Sequence, residues 1–251
     1  MNQLFLSITH RPYVFAFLAA YAILAWRYFG IRKTVLWLVS GYAIAWLSEV
    51  SSINNGFPYG DYKYVYESMK GELMIAGVPF FDSLSYPFLT FAGYVTASFI
   101  LCKRCATGLK AAALGALLTM LLDVIVDPIA TMGDRWFLGQ IHYYVHPGWY
   151  FGVPFSNFAG WFLVSFAIIG FNVLAWHIFP KVLYDRTNVP TYQRTNWLYP
   201  AFYSSIALFN VAVTFSIGEW KLGISSSVII ALILSFCLVS DRRSLVRIPV
   251  I

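Results

Sequence analysis

The chain has 251 residues, of which 59% are hydrophobic and only 11% charged. Soluble domains carry about a quarter charged residues, so the composition excludes an ordinary water-soluble fold and points to an all-α, polytopic integral membrane helix bundle. The formal net charge of +6 is dispersed through connecting segments; a nucleic-acid partner would need a basic patch on one folded face, and none is present.

About 20 apolar residues cross the hydrocarbon core, and seven runs qualify in chain order: 12–29, 34–52, 80–101, 108–126, 155–179, 197–216 and 222–240. The first ends in Trp26-Arg27-Tyr28 with no small-residue cleavage site, so it reads as an anchor rather than a signal peptide. The whole of 1–251 is thus expected to be one multi-pass transmembrane domain of the cell's inner (plasma) membrane, in contact with lipid. With the N-terminus outside, twelve Lys and Arg fall on the cytoplasmic side, including Arg32, Lys33, Arg186, Arg194 and Arg243. The other side holds five: Arg11, Lys63, Lys70, Arg135 and Lys221. The positive-inside rule therefore sets the orientation as N-out, C-in. Cys102 and Cys105 have CxxC spacing but lack the second ligand pair of a zinc site and the context of a redox motif.

The second span carries Glu49 near its outer end, and the segment 53–79 that follows is rich in Tyr, Gly and Pro. Tyrosines with an apolar body and a polar tip suit a loop at headgroup level. The third span opens on Phe81-Asp82-Ser83 and contains Pro87; the fourth is rich in small residues, which lets helices approach closely. Gly77-Val-Pro-Phe80 recurs 75 residues later as Gly152-Val-Pro-Phe155, followed by Asp82 in one copy and Asn157 in the other. The acid ending the preceding helix is Glu49 in the first copy and Asp123 in the second. Two parallel repeat units, 34–101 and 108–179, are expected.

The stretch Asp123–Asn157 organises the chain. Asp123 and Asp127 are four apart, hence on one helix face, and Pro128 marks where that helix ends or kinks. Acids in an apolar helix are costly and mark candidate functional sites. Glu49, Asp82, Asp123 and Asp127 all fall toward the outer ends of their helices, as candidate catalytic groups. Arg135, His142 and His146 lie in the connection above them. Carboxyls crowded away from water hold on to protons, and a protonated one beside an ionised one supplies an acid and a base together. The bland alternative is that these acids cap helices, pair with Arg135 or Lys63, or face interfacial water. His142 and His146 are four apart, but Pro147 and the Gly-Trp-Tyr after it favour a loop over a helical metal pair, and no metal is expected. A proton-coupled or isoprenoid carrier would also use intramembrane acids, although carriers place their sites near the bilayer midplane. A non-catalytic lipid-binding protein is the third reading.

The blocks Gly56-Phe-Pro-Tyr-Gly-Asp-Tyr62, Gly77-Val-Pro79, Asp123-Val-Ile-Val-Asp-Pro128 and Tyr150-Phe-Gly-Val-Pro-Phe-Ser-Asn-Phe-Ala-Gly-Trp161 resemble the carotenoid biosynthesis membrane-protein family, which includes carotenoid 1′,2′-hydratases. The resemblance covers roughly residues 34–180, and the run Phe81–Tyr86 is more polar than it leads one to expect. It implies water addition to the terminal double bond of an acyclic carotenoid, with water as second substrate, other enzymes of the same pathway as possible neighbours, and no cofactor. Within those blocks Tyr59, Asp61, Tyr150 and Trp161 join Asn157 and Arg135 as candidate substrate-binding residues. A carotenoid is about as long as the hydrocarbon core is thick, roughly 30 Å, so its end group can meet the acids while its length lies along the bundle.

Overall fold

The computed structural model describes residues 3–101, 108–183 and 196–245. Each expected span is a helix: α2 (Pro12–Phe29), α3 (Ile31–Asn55), α4 (Phe80–Ile100), α5 (Leu109–Ala130), α6 (Phe155–Ile178), α7 (Leu198–Ser216) and α8 (Trp220–Leu245). A short α1 (Gln3–His10), too brief to show a periodicity in the sequence, precedes them. Cys102 and Cys105, and Arg186, Pro190 and Arg194 of the connection before α7, lie outside the described residues.

Six of these helices are long and apolar enough to cross a membrane. The seventh expected span, α4, has the length but is interrupted by Ser, Thr and Tyr, and the reason is its position. It packs against α2, α3, α5, α6, α7 and α8, and every residue from Tyr86 to Phe99 is buried. Its hydroxyls face protein, and Thr90 bonds within the bundle: Thr90 Oγ1 donates to the Tyr86 carbonyl at 2.6 Å, and the Trp37 indole of α3 donates to Pro87 O and Thr90 Oγ1, each at 3.1 Å. The buried hydroxyls of Ser83, Thr96 and Ser98, by contrast, have no hydrogen-bond partner among the described residues. Small residues let the neighbours in. A Cβ on Gly93 of α4 would meet the Gly115 carbonyl of α5 at 2.5 Å, the close backbone approach that the small-residue composition of α5 anticipates.

The connections at the acidic end are ordered by short strands that no helical period signals. β1 (Tyr62–Tyr64) pairs antiparallel with β4 (His142–Tyr144), with Tyr62 opposite Tyr144 and Tyr64 opposite His142. Along β1 the burial alternates as a strand requires: Tyr62 and Tyr64 are buried and Lys63 is exposed. The tyrosines expected in a loop at headgroup level turn into the protein. Tyr59, Tyr62 and Tyr64 are only 2%, 5% and 9% exposed, because their hydroxyls serve buried partners described below.

The Gly-Val-Pro-Phe copies form the same local structure. β2 (Met74–Ile75) and β3 (Val78–Pro79) make a hairpin closed by Ala76 (φ 52°) and Gly77 (φ 80°). In the second copy Tyr150 bridges Val153 across Phe151 (φ 48°) and Gly152 (φ 86°). Two successive positive φ values define the tight two-residue turn that suits the twist of a hairpin. Ala76 and Phe151 are the two non-glycine residues with positive φ among the described residues. In both copies the chain passes from this turn through an extended proline (Pro79, Pro154) directly into a helix.

Gly160 of α6 is where the loop carrying Tyr59 closes onto the bundle: a Cβ there would lie 2.6 Å from the Pro58 carbonyl and 2.7 Å from the Tyr59 ring. Gly160→Ala is therefore expected to destabilise the protein by about 1–3 kcal/mol through overpacking. Gly170→Ala on the same helix, whose Cβ would meet nothing within 4 Å, leaves the thermal midpoint in detergent unchanged or slightly raised.

Candidate active site

The four acids singled out from the sequence line one cavity of about 170 Å³. Glu49 comes from the last third of α3, Asp82 from the first turn of α4, and Asp123 and Asp127 from the end of α5. All lie at the end of the bundle where β1, β4 and both hairpins close over it. Buried carboxyls need donors, and the surroundings supply them unequally.

Asn157, in the first turn of α6, donates through Nδ2 to Asp123 Oδ2 at 2.7 Å and to Asp127 Oδ2 at 3.3 Å. Asp127 also accepts from the Tyr144 hydroxyl at 2.7 Å and faces His142 Nε2 at 3.2 Å across Oδ1. Both extra partners come from β4. Asp123 has Asn157 alone as a protein donor among these contacts, so the two carboxyls of the pair have unequal donor sets.

Glu49 sits in a nest of phenols. Its Oε2 accepts from Tyr62 in a very short bond and from Tyr64 at 3.2 Å, and its Oε1 accepts from Tyr86 at 3.2 Å. Tyr86 in turn donates to Tyr59 at 2.6 Å, and Tyr59 shares a hydrogen bond with Ser48 at 2.8 Å. Burial, followed by the charge of Glu49, holds the Tyr62 and Tyr64 hydroxyls well above the ordinary tyrosine range, so they remain neutral donors. Asp82 has a different partner. Arg11, 2% exposed and just ahead of α2, forms a close ion pair with Asp82 and contacts Glu72 Oε2 at 3.0 Å through Nε. Burial acts to lower the Arg11 pKa, and the two carboxylates outweigh it, so its guanidinium stays charged.

The rest of the cavity is apolar and aromatic. Trp161 of α6 stacks on Tyr86 with centroids 4.3 Å apart and planes 7° from parallel. Phe17, Phe88, Leu89, Ile206 and Phe209, from α2, α4 and α7, line the cavity with the acids.

The sequence-based site is thus partly assembled and partly corrected. Glu49, Asp82, Asp123, Asp127, Asn157, Tyr59 and Trp161 meet at the cavity. Arg135 does not: its side chain is 54% exposed and pairs with Glu219 in the turn before α8. Asp61 lies on the surface beside Lys63 at 3.6 Å. Tyr150 packs edge-on against Phe158, outside the cavity lining. His142 and His146 are not a helical pair, since β4 turns His142 inward and leaves His146 exposed. The residues that sequence reasoning missed are Arg11, Tyr62, Tyr64, Tyr86 and Tyr144. The alternation in Tyr62-Lys63-Tyr64 and His142-Tyr143-Tyr144 was the available signal for four of the inward rings.

A multi-pass helix bundle that gathers acids, phenols and aromatic faces around a cavity at one end is the class of protein defined here. The chain belongs to the family described as carotenoid biosynthesis protein, which it matches over residues 10–237. It is similar to bisanhydrobacterioruberin hydratase of Haloarcula japonica, with 28% identity over 142 residues, 56% of this chain and 45% of that protein. The chain therefore aligns with less than half the length of that relative. No solved structure matches it.

His142 carries a pH dependence. Burial acts to lower its pKa, and the charge and hydrogen bond of Asp127 more than offset this, so it titrates above the ordinary histidine value of about 6.5. A raised histidine contributes stability that is complete below its unfolded value and is lost as pH rises through the folded one. The thermal midpoint in detergent is expected to fall as pH rises from about 6.5 through the raised folded value. His142→Gln, which keeps a donor and removes the titration, flattens that step.

Proposed function

We propose that this protein is a hydratase that adds water across the terminal double bond of an acyclic carotenoid, in the plasma membrane. What carries the reading is that acids with unequal donor sets and an apolar aromatic wall share one cavity. Membership of a carotenoid biosynthesis family and similarity to a hydratase support it.

The chemistry follows from the arrangement. The Asp123 carboxyl gives its proton to the CH carbon of the trisubstituted double bond, and the neighbouring carbon becomes a tertiary cation. Asp127, anionic and held by Tyr144, His142 and Asn157, stabilises that charge from beside Asp123. The faces of Tyr86 and Trp161 shelter it further, as aromatic rings attract cations. A water oriented by Glu49 forms the C–O bond and gives up its surplus proton to that carboxylate. Return of the proton to Asp123 completes the cycle, with the elements of one water added and no electron transferred.

The cavity's size fits an end group rather than a whole polyene. Its volume of about 170 Å³ is close to that of an engineered cavity of about 150 Å³ that takes up benzene. The lining of Phe17 and Phe209, carried by helices that cross the bilayer, receives the hydrocarbon, and the bulk of the polyene stays along the bundle. A carrier would need sites connected through the bundle, whereas these acids gather at one end.

Removing a general acid typically costs 10²–10⁴-fold. Asp123→Asn, expressed in a host that makes acyclic carotenoids, is expected to lose at least about a hundredfold of the hydrated pigment, while the protein remains in the membrane. Mass analysis of the extracted pigments reads the result; a full yield of the alcohol from Asp123→Asn overturns the mechanism. If the wild-type chain binds the pigment without any gain of water, the hydratase reading itself fails.

A further inference from the structure

The proposed reaction joins a lipid-borne hydrocarbon to water, and the two must reach one carbon from different sides. A second cavity, of about 360 Å³, lies on the outer flank of β1. Asn54, Lys63, Tyr66 and Gly77 are among its lining residues, so its walls belong to the end of α3 and to the connection after it rather than to lipid-facing helices. Lys63 and Tyr66 are about half exposed, and the Tyr66 hydroxyl donates to the Gly77 carbonyl at 3.1 Å.

Two residues, Tyr62 and Tyr64, line both this outer cavity and the acid-lined one. Both residues thus border the two spaces, and their hydroxyls both donate to Glu49 Oε2. A molecule passing between the two spaces must slip past these rings and exchange hydrogen bonds with them. Water can do both; a hydrocarbon tail can do neither.

We propose that the outer cavity is the water vestibule and that Tyr62 and Tyr64 form the filter that admits water to Glu49. This proposal rests on the hydratase reading and extends it by assigning the entry route and the size selection of the nucleophile. In chemical terms, the oxygen that passes the filter forms the C–O bond with the tertiary cation. Its O–H proton goes to Glu49, and the rings that border Glu49 decide how large a hydroxylic molecule reaches that point.

Methanol tests the filter, because capture of the same cation by methanol gives a methyl ether in place of the alcohol. Membranes containing the protein and an acyclic carotenoid are incubated in buffer with methanol, and the ether-to-alcohol ratio is read by mass. The wild-type chain is expected to give almost only the alcohol. One methylene is worth about 10–200-fold in selection at a fitted site, so Tyr64→Ala is expected to raise the ratio by about tenfold or more. Tyr143→Ala, which removes an exposed ring of β4 that lines neither cavity, leaves it unchanged. An independent variant, Asn54→Trp, fills the vestibule while leaving the residues of β1 and Glu49 unsubstituted; it lowers alcohol formation severalfold while bound carotenoid copurifies as before. A wild-type ratio that already tracks the methanol content overturns the filter, as does an unchanged ratio in Tyr64→Ala. Undiminished turnover in Asn54→Trp overturns the vestibule. Absence of any alcohol from the wild-type chain instead defeats the hydratase reading, which separates the two failures.

Discussion

One amide group, that of Asn157, lies within hydrogen-bond reach of two carboxyls inside a bundle of apolar helices, and the architecture around it follows from that arrangement. An ion taken out of water costs several kcal/mol unless charge partners and hydrogen bonds replace its hydration. The helices alone cannot provide enough donors, because their backbone N–H groups are committed to the helical ladder. The connections supply them instead. β4 brings Tyr144 and His142 to Asp127, β1 brings Tyr62 and Tyr64 to Glu49, and the pairing of β1 with β4 fixes both sets in one register. What reads as a pair of long loops is the hydrogen-bonding complement of the acids.

The two halves of this arrangement solve the same problem differently. Both use a helix with an acid near its end, a positive-φ turn and a helix beginning just after proline. The acid near the helix end is Glu49 in one and Asp123 in the other, and the third residue after the proline is Asp82 in one and Asn157 in the other. In the second half the polar residue of the first helical turn is an amide, which donates directly to the neighbouring acids. In the first half it is itself an acid, and its counter-charge comes from Arg11, outside the repeated segment. The two flanks of the cavity differ accordingly: one holds two carboxyls that share an amide, and the other a carboxyl wrapped in phenols.

Much of the bundle was legible in the sequence because hydrophobic length is a local signal. Each expected span is a helix within a few residues of its expected bounds, and the recurrence of Gly-Val-Pro-Phe marked two turns of the same conformation. The gathering of Glu49, Asp82, Asp123 and Asp127 was legible too, since membrane topology alone puts them at one depth. Depth does not give direction, however. Arg135 and Asp61 stand at the right level and turn to Glu219 and Lys63 on the surface, while Tyr62 and Tyr64, expected at headgroup level, turn inward. A three-residue strand fixes such choices through its pairing partner, here some 80 residues away, and no window along the chain contains both. The hydropathy of α4 misleads for a related reason: a helix enclosed by protein need not be as apolar as one facing lipid.

Arg11 has a consequence for how the chain is handled. It lies before the first long helix, in a position that a hydropathy plot treats as dispensable, yet its guanidinium sits between Glu72 and Asp82 at the cavity wall. A version trimmed to begin at the first hydrophobic segment would lose this cation together with α1, whose Ser7 hydroxyl accepts from the Leu73 N–H, and would leave Glu72 and Asp82 facing each other without it.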